Sequence, residues 1–204
     1  MDALLNSYKE ALEKNRFTVR CFASKEEAAA DFLKTVEPGC TVGFGGSVTT
    51  RELGLPEALK QNGVTIYSHW EVPEGSDKAE QLFKAMTSDI YVCSANAITK
   101  DGKIVNIDGT GNRLAALLFG HKAVFLFVGK NKLSGTYEEA MARIKCDACV
   151  PNAKRLNKQT PCALAGKCAD CASPDRICNA TLILEKNPNS QPIFVYLIDE
   201  PLGY

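Results

Sequence analysis

The sequence predicts an α/β fold, and three observations carry that expectation. Along most of the chain, apolar patterns of helical period alternate with short strand-like apolar runs. Glycine-rich turns stand where a strand pattern gives way to a helix pattern, at Gly45-Gly46-Ser47 and at Asp108-Gly109-Thr110-Gly111. The 204 residues suffice for one sizeable core, so a single domain spanning 1–204 is expected.

Taken in order, Asp2 to Lys14 reads as a helix, with Leu4, Leu5, Tyr8, Ala11 and Leu12 on one face. Phe17 to Phe22 is a short strand, and Ser24 with Glu27 forms a capping-box signature for a helix to about Val36. Pro38-Gly39 ends it before a buried strand, Cys40 to Phe44. A helix from Val48 is interrupted at Leu55-Pro56 and stops near Asn62-Gly63. Val64 to Tyr67 is a strand, Ser76 caps a helix from Asp77 to about Met86, and Asp89 to Cys93 is a strand again. Ala97 to Thr99 and Lys103 to Ile107 flank Lys100-Asp101-Gly102 as a β-hairpin. A helix over Leu114 to Phe119 and an apolar strand over Lys122 to Val128 follow. Thr181 to Glu185 and Ile193 to Ile198 are two closing strands, expected to pair or neighbour each other.

Charge and hydropathy exclude several classes. Lysine plus arginine equals aspartate plus glutamate at 24 each, so no basic field points to nucleic acid. No stretch approaches membrane-spanning length, and MDALLNSYKEALEKN lacks the apolar run of a signal peptide. A cytoplasmic protein with reduced thiols is expected.

The glycine-rich turns are candidate anion sites. Gly45 and Gly46 let backbone approach a ligand, while Ser47, Thr49 and Thr50 add hydroxyl donors. The plain alternative is a βα turn with Ser47 as its cap. At the second turn, Gly109 and Gly111 are joined by Asp108, Asn112 and Arg113. Asp108 is the best-placed acid or base, and Arg113 suits bidentate capture of a carboxylate or phosphate. Equally, Asp108 caps the following helix, or Arg113 pairs with Asp108. A third polar cluster, Gly129-Lys130-Asn131-Lys132, ends the apolar strand, and ligands collect where parallel strands end. Lys130 and Asn96 join the candidate ligand-binding residues. His69, in a loop beside Trp70, reads as a packed or exposed ring rather than a ligand, and Cys93 as a small core residue.

Nine cysteines are present, and Cys162, Cys168, Cys171 and Cys178 lie in one glycine- and proline-containing segment with little apolar material. Such a stretch has little reason to order unless its sulfurs are held together. Zinc, an iron–sulfur cluster and two disulfides all satisfy the count, and the reduced compartment favours metal. Ser173 and Pro174 read as cap and first residue of a helix carrying Cys178 about one turn on. Cys146 and Cys149 form another C-x₂-C; on a helix both face one side, as further ligands, a redox pair or uninvolved thiols. The cysteine-rich region thus spans 146–179.

The motifs SANAIT, DGKIVNIDGTGNR, VGKNK, NAKRL and TPC…GKCADC…SPDRICN, with the closing LGY, together resemble the LUD-domain family of lactate-utilisation proteins. The resemblance covers most of the chain and is strongest over 94–179. It implies a mostly parallel central sheet flanked by helices, related to CoA transferases and ribose-phosphate isomerases. It also implies a part in lactate oxidation beside iron–sulfur partner proteins, and it turns the metal expectation toward a 4Fe–4S cluster. Three readings follow: an iron–sulfur component oxidising lactate or another small 2-hydroxy acid; an enzyme using an open iron as Lewis acid on an anionic substrate; and a zinc-held structural or interaction module. The first expects a small anion on the glycine loops facing the metal.

Overall fold

A computed structural model describes residues 3–204, so Asp2 lies outside the described residues. The alternation produces a six-stranded sheet, all parallel, in the order β1 (Thr18–Phe22), β10 (Ile193–Ile198), β7 (Ala123–Gly129), β4 (Ile90–Cys93), β2 (Thr41–Phe44) and β3 (Thr65–Ser68). A parallel sheet needs cover on both faces. On one side, α1 (Ala3–Lys14), α5 (Lys78–Met86) and α6 (Asn112–Leu118) pack over Tyr91, Leu126, Val128, Val195 and Leu197. On the other, α2 (Lys25–Leu33) and α4 (Leu55–Gln61) pack over Val92, Phe125, Phe127, Tyr196 and Ile198. Successive residues of β7 and β10 alternate between the two cores, as strand periodicity requires.

The helix starts follow local chemistry. Ser24 accepts a bond from Glu27 N, and Gly54, left-handed at φ 64°, separates the five-residue α3 (Val48–Glu52) from α4. The cap of α5 is Asp77 rather than Ser76: Asp77 accepts from Glu80 N, while Ser76 Oγ pairs with the side chains of Glu80 and Gln81.

A second sheet, in the order β8 (Leu133–Ser134), β5 (Ala97–Thr99), β6 (Ile104–Asp108) and β9 (Ala180–Leu184), grows from the ends of the first. Strands β5 and β8 follow directly on β4 and β7, and the expected hairpin is the antiparallel pair β5–β6. The two closing strands therefore part company. β9 pairs antiparallel with β6 at the edge of the small sheet, whereas β10 lies between β1 and β7. Burial explains the separation: β10 is covered on both faces, while Thr181 and Ile183 of β9 face solvent, as an antiparallel edge permits.

The cysteine-rich region departs from its expected helices. Ile144–Cys149 is a π-helical turn between α7 (Tyr137–Arg143) and α8 (Val150–Arg155). The wider i→i+5 turn rotates residues three apart off a shared face, leaving Cys146 exposed and Cys149 buried. Cys162 sits in α9 (Pro161–Ala165), capped by Thr160 and ended by left-handed Gly166. No helix follows Pro174: Ser173 accepts from Asp175 and Arg176 amides in a turn, and Asn179 N bonds Asp108 O to start β9. The loop also has order of its own. Arg176 donates to the carbonyls of Cys171 and Cys178 and to Asp170, which also accepts from Lys145 of the π turn.

The aromatic core and the cysteine loop should therefore separate in a urea titration followed by circular dichroism. Phe127→Ala is expected to cost about 3–5 kcal/mol. The double variant Cys168→Ser, Cys171→Ser should keep the far-ultraviolet spectrum and the main transition; its global unfolding would show that those sulfurs hold the core.

Candidate functional site

One cavity of about 230 Å³ opens where the strands of both sheets end. Its walls include Gly46, Ser47 and Thr49 after β2, Ser94 and Asn96 after β4, Asp108, Gly109, Asn112 and Arg113 after β6, and Lys132 after β7. Both glycine turns thus meet in one place. A further part of the wall comes from the cysteine-rich region, through Cys149 and Ile177. That region docks closely: a Cβ on Gly109 would lie 3.1 Å from Ile177 Cα, and Asn179 Nδ2 donates to Gly109 O.

The glycines have different tasks. A Cβ on Gly45 would meet the Tyr91 hydroxyl at 2.9 Å, and one on Gly46 would meet His69 Nε2 at 3.1 Å. Gly45 therefore lets the turn settle on the core, and Gly46 admits His69 and Trp70 to the cavity wall. Gly111, at φ 86°, caps α6. Thr50 turns back to Ser47 O, and neither Thr50 nor Gly111 lines the cavity.

Free amides at the two helix starts are fewer than the sequence suggested. Thr50 N is bonded to Ser47 Oγ, and Leu114 N to Asp108 Oδ2. Asp108 is thus a helix-capping carboxylate, and it is also the ion-pair partner of Arg113 at 2.7 Å. Arg113 is only 8% exposed. Its remaining bonds run to Asn96 Oδ1 at 2.8 Å and to the carbonyls of Ser94 and Ile107. Those commitments make it a pin for the cavity wall rather than an open fork for a ligand.

Lys130, the expected ligand-binding lysine, points to Asp199 at 2.9 Å and lies outside the cavity lining. The neighbouring Lys132 faces the cavity instead. It is 3% exposed, and its Nζ lies 2.7 Å from Thr49 Oγ1 and 2.8 Å from Ser94 Oγ. Burial, reinforced by the Arg143 and Arg113 guanidinium groups, pushes its pKa down to about 7. The apolar strand before VGKNK signalled a polar strand end, but not which lysine turns inward.

Toward the mouth, Lys78 and Arg155 are exposed cations, and the guanidinium groups of Arg51 and Arg155 lie 4.7 and 4.9 Å from the Trp70 ring. His69 also lines the cavity. Burial, then Lys78 and Arg155, lowers its pKa, and its buried Nδ1 lacks a hydrogen-bond partner. Four cationic side chains thus line the cavity against one carboxylate side chain, Asp108, which Arg113 already engages.

All nine cysteines are free thiols. Burial pushes the Cys149 thiol up to about 12, with added repulsion from Cys178, Cys168 and Cys162. Those sulfurs therefore share one electrostatic neighbourhood. Among the described residues, however, no three His, Cys, Asp or Glu side chains are arranged to hold a metal ion.

The LUD-domain family model matches residues 5–198. The chain belongs to the LUD-domain family. That family is associated in general with lactate utilisation. A crystal structure of a DUF162 family protein from Deinococcus radiodurans matches with a TM-score of 0.53 over 96% of each chain. Its identity to this LUD domain is 12%, so the likeness concerns the fold. No curated protein matches the sequence. No helix among the described residues is long and apolar enough to cross a membrane.

Lys132 gives a stability test with a defined sign. Its ordinary pKa is 10.5 and its folded value about 7. Between those values the unfolded chain holds a proton that the folded chain has released, so its contribution to stability falls as pH drops and levels off below 7. Lys132→Met should hold its largest advantage over the parent at or below pH 7. That advantage should shrink by roughly 1.4 kcal/mol per pH unit toward pH 10. Urea titrations at pH 6, 8 and 9.5 measure it; an advantage constant with pH would contradict the lowered pKa.

Proposed function

We propose that this LUD domain takes part in the oxidation of lactate or another small 2-hydroxy acid, holding the acid or its 2-oxo product in the cavity. The observation that carries the reading is the cationic excess, above all buried Lys132, which no carboxylate pairs among the described residues. An anion supplies the missing charge. A volume of about 230 Å³ suits a small acid rather than a drug-sized molecule.

The division of labour follows from burial. Lys78 and Arg155 at the mouth attract the anion, with Trp70 stacking to hold Arg155 in place. Inside, Lys132 and the Ser47 hydroxyl offer donors to the anion, while Thr49 accepts from Lys132 and holds it in place. Arg113 keeps Asn96 and Asp108 where they line the wall. On the second turn Asn112 is the candidate for orienting the acid, with Asp108 and Arg113 holding that wall in place.

Removing both mouth cations tests the reading. Calorimetric titration with lactate and pyruvate should show Lys78→Ala, Arg155→Ala binding about tenfold more weakly at low salt, with the difference shrinking as salt rises. No binding of either acid by the parent protein would overturn the proposal.

The cysteines support a second reading, an iron–sulfur cluster beside the anion. Cys149 forms part of the cavity wall and feels the charges of Cys162, Cys168 and Cys178, and an all-sulfur donor set suits iron–sulfur or zinc. Their present arrangement does not fit either group, so uptake requires the sulfurs to be drawn together. No chemical step is assigned to a cluster. Anaerobic reconstitution with iron and sulfide should give a brown protein that bleaches in air; a colourless product binding one zinc would favour the structural clamp, and uptake of neither metal would end both versions.

A further inference from the structure

Lys132 is placed to do more than neutralise an anion. Ser94 Oγ donates to Phe127 O at 2.6 Å, and Thr49 Oγ1 to Leu202 O at 3.3 Å. With their hydrogens so committed, both hydroxyls accept from Lys132 Nζ. Two of the lysine's hydrogens are thereby used. The remaining position has no protein partner among the described residues, and the side chain borders the cavity. In the neutral amine that position is the lone pair.

The surroundings bring the neutral amine within reach at neutral pH. The group is buried, no carboxylate pairs with it, and the Arg113 and Arg143 guanidinium groups oppose its charge. These groups are themselves held in place: Arg113 by Asp108 and Asn96, and Arg143 by the carbonyls of Asn131 and Asn96. Desolvation beside another cation is one of the ways proteins make a lysine nucleophilic toward carbonyl carbon. A small acid with an oxo group next to its carboxylate answers both features of the cavity: the carboxylate meets the cationic lining, and the electrophilic carbon meets the amine.

We propose that Lys132 forms an imine with the C2 carbon of a small 2-oxo acid bound in the cavity, a step that rests on the anion-binding reading above. The Nζ lone pair attacks C2, forming the C–N bond while the carbonyl π bond opens. Both amine hydrogens then leave with the carbonyl oxygen as one water molecule, and C=N remains. The sum is amine plus oxo acid giving imine plus water, so no oxidant or reductant takes part. The 2-oxo acid is the product class of 2-hydroxy-acid oxidation, which makes this cavity a place where that product is captured covalently and reversibly.

The test is reductive trapping of the full chain. Incubation with pyruvate followed by sodium borohydride should add one reduced pyruvyl group per chain, and peptide mapping should place it on Lys132. Borohydride without pyruvate should add nothing, Lys132→Arg should lose the adduct, and Lys130→Met should keep it. Calorimetric binding of pyruvate is measured on the same protein without borohydride. Binding without an adduct, or with adducts on other lysines alone, overturns the imine and leaves the anion-binding reading standing. Absence of binding overturns both.

Discussion

The buried guanidinium of Arg113 is the interaction on which the rest of this architecture depends. It reaches the carbonyl of Ser94 at the end of β4, the side chain of Asn96 at the entry to β5, and Ile107 and Asp108 at the end of β6. Those bonds tie the parallel sheet to the antiparallel one where the two meet. Asp108 balances the charge and caps α6, so one ion pair closes the glycine turn and fixes a helix start together. Removing either partner would leave an uncompensated buried charge, a defect costing roughly 3–5 kcal/mol. Ser94 and Asn96 owe their positions to this junction, and Ser94 in turn receives Lys132.

From that junction the cavity's electrostatics follow. Because Arg113 consumes the Asp108 carboxylate, no acidic side chain remains among the lining residues to balance Lys132. The lysine has hydroxyl partners, which satisfy hydrogen bonds without supplying charge. Its lowered pKa and the cationic excess of the cavity lining are two consequences of one arrangement. At neutral pH the amine lies near the midpoint of its titration, so either protonation state is accessible at small cost. An arriving carboxylate favours the cation, whereas an arriving carbonyl carbon reacts with the neutral form. A 2-oxo acid offers both.

Much of the fold was legible because alternation is a local property. Val124 to Val128 and Ile193 to Ile198 announce strands buried on both faces, and both sit near the middle of the parallel sheet. The Lys100-Asp101-Gly102 turn announced the β5–β6 hairpin for the same reason. Strand partners are not local. Thr181 to Leu184 looks like a neighbour of Ile193 to Ile198 in sequence, yet it finds β6, because the chain before it is moored to Asp108 and Gly109 through Asn179. In the site, the glycine turns were visible but their occupants were not. Asp108, Asn112 and Arg113 stand together as their spacing suggested, whereas Lys130 and Lys132 differ only in which way a short 3₁₀ turn aims each side chain. Periodicity carries no signal for that, and Arg155 and Trp70 meet from distant segments.

In the cysteine-rich region, composition shows the thiols but not the polar contacts that order the backbone. Scarce apolar residues suggested that only a metal would order it, but polar contacts also order backbone when one side chain serves several carbonyls. Arg176 does this for Cys171 and Cys178, and Asp170 links Arg176 to Lys145. Asp170 adopts a left-handed backbone at φ 43°, a conformation that Asp tolerates better than most residues. The Arg176 network thus orders the loop backbone through its carbonyls, independently of any bond to the sulfurs. The same loop sets Ile177 against Gly109 and so supplies part of the cavity wall. Any movement that gathered the sulfurs around a metal would have to loosen the Arg176 bonds and shift that wall. If the loop takes up a metal and the cavity an anion, the two events would be coupled through the same few contacts, and each would alter the other's affinity by the same factor.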